Sequence, residues 1–166
     1  MPQPSFLAAS LYVALGGGTG AWLRFLVGRA WTAMLGPVRA SEFPYGTLTV
    51  NVLGSLFMGL LVGWLGAPAV SAFPFATLAV NTIGSLLMGL LAGWLVRGSP
   101  EGADQLRLLL GVGLLGGFTT FSSFSLDIVS LAERGQLGLA AFYTGISVIA
   151  GVASLFIGLS LMRHVG

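Results

Sequence analysis

Apolar residues run almost unbroken through five windows of the chain, about 6–27, 43–65, 73–96, 106–131 and 137–162, and polar or turn-forming residues collect between them. A membrane-crossing helix needs about 20 consecutive apolar residues, and every window supplies them. The connections are short, and none could fold as a separate soluble domain. The pattern predicts an all-α integral membrane protein, one transmembrane domain over residues 1–166, built as a bundle of five spans. The first window lacks a basic leader and carries Arg24 near its far end, so it reads as a retained span and not a cleaved signal.

The fourth window breaks this rule of apolarity. Gly116-Gly117-Phe118-Thr119-Thr120-Phe121-Ser122-Ser123-Phe124-Ser125 sets a glycine pair before alternating hydroxyls and aromatics in the middle of a span. An unsatisfied polar group in hydrocarbon costs several kcal/mol, so these residues must face protein or a water-filled path. The run is a candidate pore, and the span is expected to break near Gly116-Gly117, where glycine lets a helix unwind. On composition alone Phe121 and Phe124 would serve equally as lipid or core contacts.

One helix occurs twice. Residues 43–65 return at an offset of thirty as residues 73–95, with sixteen of 23 positions identical. The seven differences are Tyr45/Phe75, Gly46/Ala76, Thr49/Ala79, Val52/Thr82, Leu53/Ile83, Phe57/Leu87 and Val62/Ala92. No third copy exists, which excludes a solenoid. The linker from Gly66 to Ala72 is short and uncharged, as a turn between antiparallel helices would be. In each copy the polar residues fall at i, i+4 and i+8, as Thr47, Asn51, Ser55 and as Thr77, Asn81, Ser85, which puts them on one helical face. Interhelical hydrogen bonding and pore lining both explain such a face. Gly54, Gly59, Gly63 and their counterparts Gly84, Gly89, Gly93 read as helix-packing positions.

Composition agrees with the pattern: the chain is 55% hydrophobic with a mean hydropathy of +0.95, and its 7% charged residues stand far below the roughly 25% of soluble domains. Seven Arg against five acids are scattered over short loops, which implies no nucleic-acid patch. The absence of Cys excludes disulfides and thiolate metal sites, and a lone His164 offers no metal cluster. No nucleophile, base and orienting group can be assembled, so an enzyme is not expected.

Three motifs together resemble one family. Gly17-Gly18-Thr19-Gly20-Ala21-Trp22-Leu23-Arg24, Gly46-Thr47-Leu48-Thr49-Val50-Asn51 and the run from Gly116 to Ser125, in that order, are similar to the signatures of the Fluc fluoride-channel family, also called CrcB. The resemblance covers nearly the whole chain except one copy of the duplicated helix. It implies a fluoride channel in the cell inner membrane, with four-span subunits inserted in both orientations and paired antiparallel around a structural Na+. By motif position Asn51 or Asn81 looks like the pore amide, Phe121 and Phe124 like the pore phenylalanines, and Ser122, Ser123, Tyr143 and Ser147 like the polar track. The carbonyls of Gly116 and Thr119 look like Na+ ligands, and Arg24 like an interfacial anchor or vestibule charge. Three positions depart from the family pattern: Gly151 replaces a second hydroxyl, Asp127 replaces a glutamate, and Ala76 replaces the glycine that opens the repeated helix.

Arg near span ends biases a loop toward the cytoplasm. With one copy spanning, Arg24, Arg29, Arg39 and Arg134 oppose Arg97, Arg107 and Arg163, a balance suited to dual insertion. With both copies spanning, only Arg134 opposes the other six, and the N-terminus is expected outside and the C-terminus inside. The partners implied are fluoride, the lipid bilayer and a second copy, in an antiparallel homodimer or a helix-exchanged assembly. A small dual-topology multidrug transporter, which would need a titratable acid in the membrane, and a non-transporting scaffold are the competing functions.

Overall fold

The computed structural model describes residues 4–66, 73–98 and 101–164. The elements follow as α1 (Phe6–Glu42), α2 (Tyr45–Leu65), α3 (Phe75–Gly98), α4 (Ala103–Leu106), a π-helical segment (Arg107–Leu115), α5 (Gly116–Phe118), α6 (Phe121–Glu133) and α7 (Leu137–His164). Five stretches are long and apolar enough to cross a membrane: α1, α2, α3, the interrupted helix Ala103–Glu133, and α7. Most of the linker between the two copies lies outside the described residues. Cα proximity divides the chain into one compact unit ending at Val50 and another beginning at Asn51.

In the first unit, Ser5 caps α1 by accepting the Ala8 N–H at 3.3 Å. The helix runs well past the expected end at Val27 and is interrupted at Gly36, whose φ of 80° is non-helical. Pro37 explains the interruption, because proline disfavours helical geometry in the residue before it, and glycine tolerates the positive φ. Thirty-seven helical residues would measure about 55 Å, against about 30 Å of hydrocarbon, so α1 projects beyond the apolar layer or bends along its surface. Arg24 therefore lies inside a continuous helix and not at its end.

The start of α2 is fastened to α1. Trp31 stacks on Tyr45 with centroids 5.1 Å apart, its Nε1 donates to Thr49 Oγ1 at 3.0 Å, and a Cβ on Gly46 would fall 2.9 Å from the Gly28 Cα. Tyr45, Gly46 and Thr49 are three of the seven positions at which the copies differ. Copy one has kept the residues that hold α1, where copy two carries Phe75, Ala76 and Ala79.

The second unit is organised by α3 and α7. A Cβ on Gly89 would collide with the Leu155 carbonyl oxygen, one on Gly93 would lie 2.9 Å from the Leu159 carbonyl oxygen, and one on Gly158 would collide with the Leu86 carbonyl oxygen. Backbones meet directly through these glycines, the packing mode that replaces hydrophobic driving force inside a bilayer. Leu131 and Tyr143 are fully buried, with Ala140 beside them, and Phe73, Leu78, Phe124, Ile128 and Leu139 close the cluster. The equivalent glycines of copy one, Gly59 and Gly63, have nothing within 4 Å.

The copies nevertheless begin alike. Pro44 and Pro74 precede them, with Tyr45 N–H donating to the Phe43 carbonyl at 2.8 Å and Phe75 N–H to the Phe73 carbonyl at 2.9 Å. At the far end of α6, Gly135 at φ 74° ends the helix, and the Gln136 N–H returns to the Leu131 carbonyl at 3.0 Å.

This asymmetry gives a paired expectation. Gly89→Ala forces α3 from α7 and should cost about 1–3 kcal/mol, whereas Gly59→Ala at the matching place in α2 should be near neutral. Thermal unfolding of the two variants in detergent checks it, and equal destabilisation would refute it.

Candidate functional site

The fourth span unwinds in two stages. Arg107–Leu115 is π-helical, and the Gly116 N–H accordingly reaches the Gly111 carbonyl. Helical geometry returns through the glycine pair and is then lost at Thr119 and Thr120, both extended, with φ/ψ of −81°/148° and −140°/120°. The break thus lies near Gly116-Gly117, as the sequence suggests, but the residues that leave the helix are the two threonines.

Asn81 holds that break. Its Oδ1 accepts the Thr120 N–H at 2.8 Å and its Nδ2 donates to the Thr120 carbonyl at 3.1 Å, so one amide satisfies both backbone groups of an extended residue. Thr120 in turn caps α6, its Oγ1 accepting the Ser123 N–H at 3.1 Å and donating to Ser123 Oγ, also at 3.1 Å. Gly84, one turn from Asn81, admits this turn of chain, because a Cβ there would collide with the Thr119 methyl. Asn51, the copy-one counterpart, makes no hydrogen bond among the described residues.

These bonds bear on the carbonyls of Gly116 and Thr119. In an unbroken helix they would receive the N–H groups of Thr120 and Ser123, which are engaged instead by Asn81 Oδ1 and Thr120 Oγ1. Two oxygens released from their usual donors suit a hard cation, which binds through oxygen ligands. Among the described residues there is no group of three or more His, Asp or Glu side chains that could hold a metal.

The remaining predicted residues divide between two faces of α6. On the inner face Phe124 packs 5.5 Å from the Tyr143 ring, and the Tyr143 hydroxyl donates to Asp127 Oδ2 at 3.1 Å. The Phe73 ring meets Tyr143 edge-on at 5.6 Å and 86°. One turn further along α7, the Ser147 Oγ is buried without a hydrogen-bond partner. Gly151 follows at the next turn, and a Cβ built on it would lie 3.6 Å from Ser85 Oγ. The hydroxyl missing from α7 is therefore replaced from across the helix pair by Ser85, a residue of the i, i+4 polar face that the sequence displays but does not tie to Gly151.

On the outer face lie Phe121, half exposed, and Ser122. The Phe121 and Phe124 rings remain 5.8 Å apart, which joins the two faces at the start of α6. Arg24 is part of the first unit, where its Nε is buried without a hydrogen-bond partner among the described residues.

A broken span clamped by an asparagine, an aromatic pair and a line of hydroxyls can now be set beside known proteins. The family described as CrcB-like protein, Camphor Resistance (CrcB), matches residues 11–73 and 64–159. The chain belongs to the CrcB family. Its two matched segments overlap across the copy junction, as expected if each copy fills the family's second-helix position in turn. A relative from Novosphingobium aromaticivorans, named fluoride-specific ion channel FluC, is 46% identical over 96% of this chain and 99% of its own length. Another with that name, from Agrobacterium fabrum, is 50% identical over 92% and 94%. A relative from Nitrobacter hamburgensis, fluoride-specific ion channel FluC 2, is 53% identical over 93% and 96%. No solved structure matches the chain. Family membership and five apolar helices make it a multi-pass membrane protein.

Loss of the Asn81 amide strips two backbone groups of their partners, at about 1–3 kcal/mol for each one left buried. Asn81→Ala should lower the unfolding temperature in detergent well below that of Asn51→Ala. Equal effects of the two substitutions would disprove the clamp.

Proposed function

We propose that this CrcB-family chain is a passive fluoride channel of the cell inner membrane, and that its inner-face lane runs through Asn81, Phe124, Tyr143, Ser147 and Ser85. The observation that carries the reading is the buried Ser147 hydroxyl, a donor with no acceptor beside it. Buried polar groups are nearly always satisfied, so an orphan donor facing a polar lane calls for an acceptor that comes and goes. Fluoride is small, strongly hydrated and accepts hydrogen bonds avidly, and hydroxyl and amide donors in series replace its water.

Ring edges carry partial positive charge, so Phe121 and Phe124 stabilise an anion without holding it. The helix that starts at Phe121 directs the positive end of its dipole to the same depth. No Arg occurs in the broken span between Arg107 and Arg134, and weak serial sites permit exit. Asp127 acts as the acceptor for Tyr143, which orients that hydroxyl.

The structural Na+ belongs to the same proposal. The Gly116 and Thr119 carbonyls would hold it and keep the break open. Two oxygens are too few for a hard cation, so a second copy completes the shell in an antiparallel or helix-exchanged homodimer, the two units of each chain serving one channel.

Purified protein in liposomes should release fluoride and retain chloride, and Asn81→Ala should slow release about twofold or more. Equal leakage of both halides would reject the function. Replacing Na+ by a bulky organic cation should slow fluoride release without unfolding the protein; an unchanged rate would remove the ion from the proposal. For topology, tags at the two termini should report opposite sides of the membrane, and a shared side would reject the five-span arrangement.

A further inference from the structure

The outer face of α6 is not idle surface, because copy one lies against it. Ser55 Oγ donates to Ser125 Oγ at 3.4 Å, and Ser125 Oγ donates to the Phe121 carbonyl at 2.9 Å. A Cβ on Gly54 would fall 2.9 Å from Ser122 Oγ, so glycine is what leaves that hydroxyl its room. The two copies therefore flank the broken span: Gly84 of copy two admits Thr119, and Gly54 of copy one admits Ser122.

The hydrogen-bond inventory on this seam is incomplete in the same sense as on the inner face. Ser122 and Asn51 donate to nothing among the described residues, and the Ser55 proton rests on a long contact that a better acceptor would displace. The seam joins the half-exposed ring of Phe121 and contains no basic side chain, so it offers weak donors to a small anion and no fixed charge to trap it.

We propose that copy one forms a second fluoride lane along the outer face of α6, in which Ser55, Ser122 and Ser125 take the ion past Phe121, parallel to the inner lane of copy two. The proposal rests on the fluoride reading above and assigns pore work to Ser55 and Ser125. Parallel lanes add their fluxes, whereas groups in one lane act in series, and efflux from liposomes separates the two cases.

The Ser55→Ala/Ser125→Ala double variant should lose roughly half of the fluoride flux, Asn81→Ala should lose a comparable share, and the triple variant should fall to the leak of protein-free liposomes. Ser55→Thr/Ser125→Thr, which keeps both hydroxyls, should retain the flux, and an unshifted gel-filtration peak for each variant confirms folding. Flux unchanged by the alanine pair in both backgrounds would overturn the second lane. So would complete loss from the alanine pair alone, which would place the seam in series with the inner lane. A wild-type protein that releases no fluoride would defeat the underlying function, and a result confined to the alanine pair defeats only the lane.

Discussion

The bidentate contact between the Asn81 amide and the backbone of Thr120 is what the rest of the second unit depends on. Extended backbone at bilayer depth is tolerated only where protein satisfies it, and a single side chain does so here without introducing charge. Because the amide takes the Thr120 N–H, the Gly116 carbonyl loses its helical donor; because Thr120 caps α6, Thr119 loses the Ser123 N–H. The break, the released oxygens and the new helix start all follow from one residue placed opposite two threonines. Glycine contacts between α3 and α7 then fix Asn81 at that height.

The duplication shows how one sequence takes two roles by context. An ordinary second helix in this architecture meets both the first helix and the last. Here those duties are divided: copy one keeps Tyr45, Gly46 and Thr49 against α1, and copy two seats Gly89 and Gly93 on α7. Sixteen identical positions did not produce identical environments, because tertiary contacts select which part of a shared face is used.

Much of this was legible in the residues. The five spans, the unwound fourth segment and the shared polar face follow from apolar length, hydroxyl placement and a spacing of four. The length of α1 was not, since Gly28 through Leu35 continues a helix that the charges of Arg29 and Arg39 seemed to end. The threonine break was misplaced onto the glycines by a few residues, because propensity favours glycine while the Asn81 clamp, a contact 39 residues distant, decides the matter. The choice between Asn51 and Asn81 was beyond sequence for the same reason. The clustered differences at 45, 46 and 49 were a usable clue to the division of labour, since they fall on one side of the helix.

The empty space around Gly59 and Gly63 has a genetic consequence. Purifying selection acts on glycine where a side chain would separate two backbones, and Gly89 and Gly93 are under that pressure while their duplicates are not. In descendants of this gene the second copy of the codon pair stays fixed and the first is free to drift, so the repeat should decay from the membrane-exposed end of α2 while its start, bound to α1, is preserved.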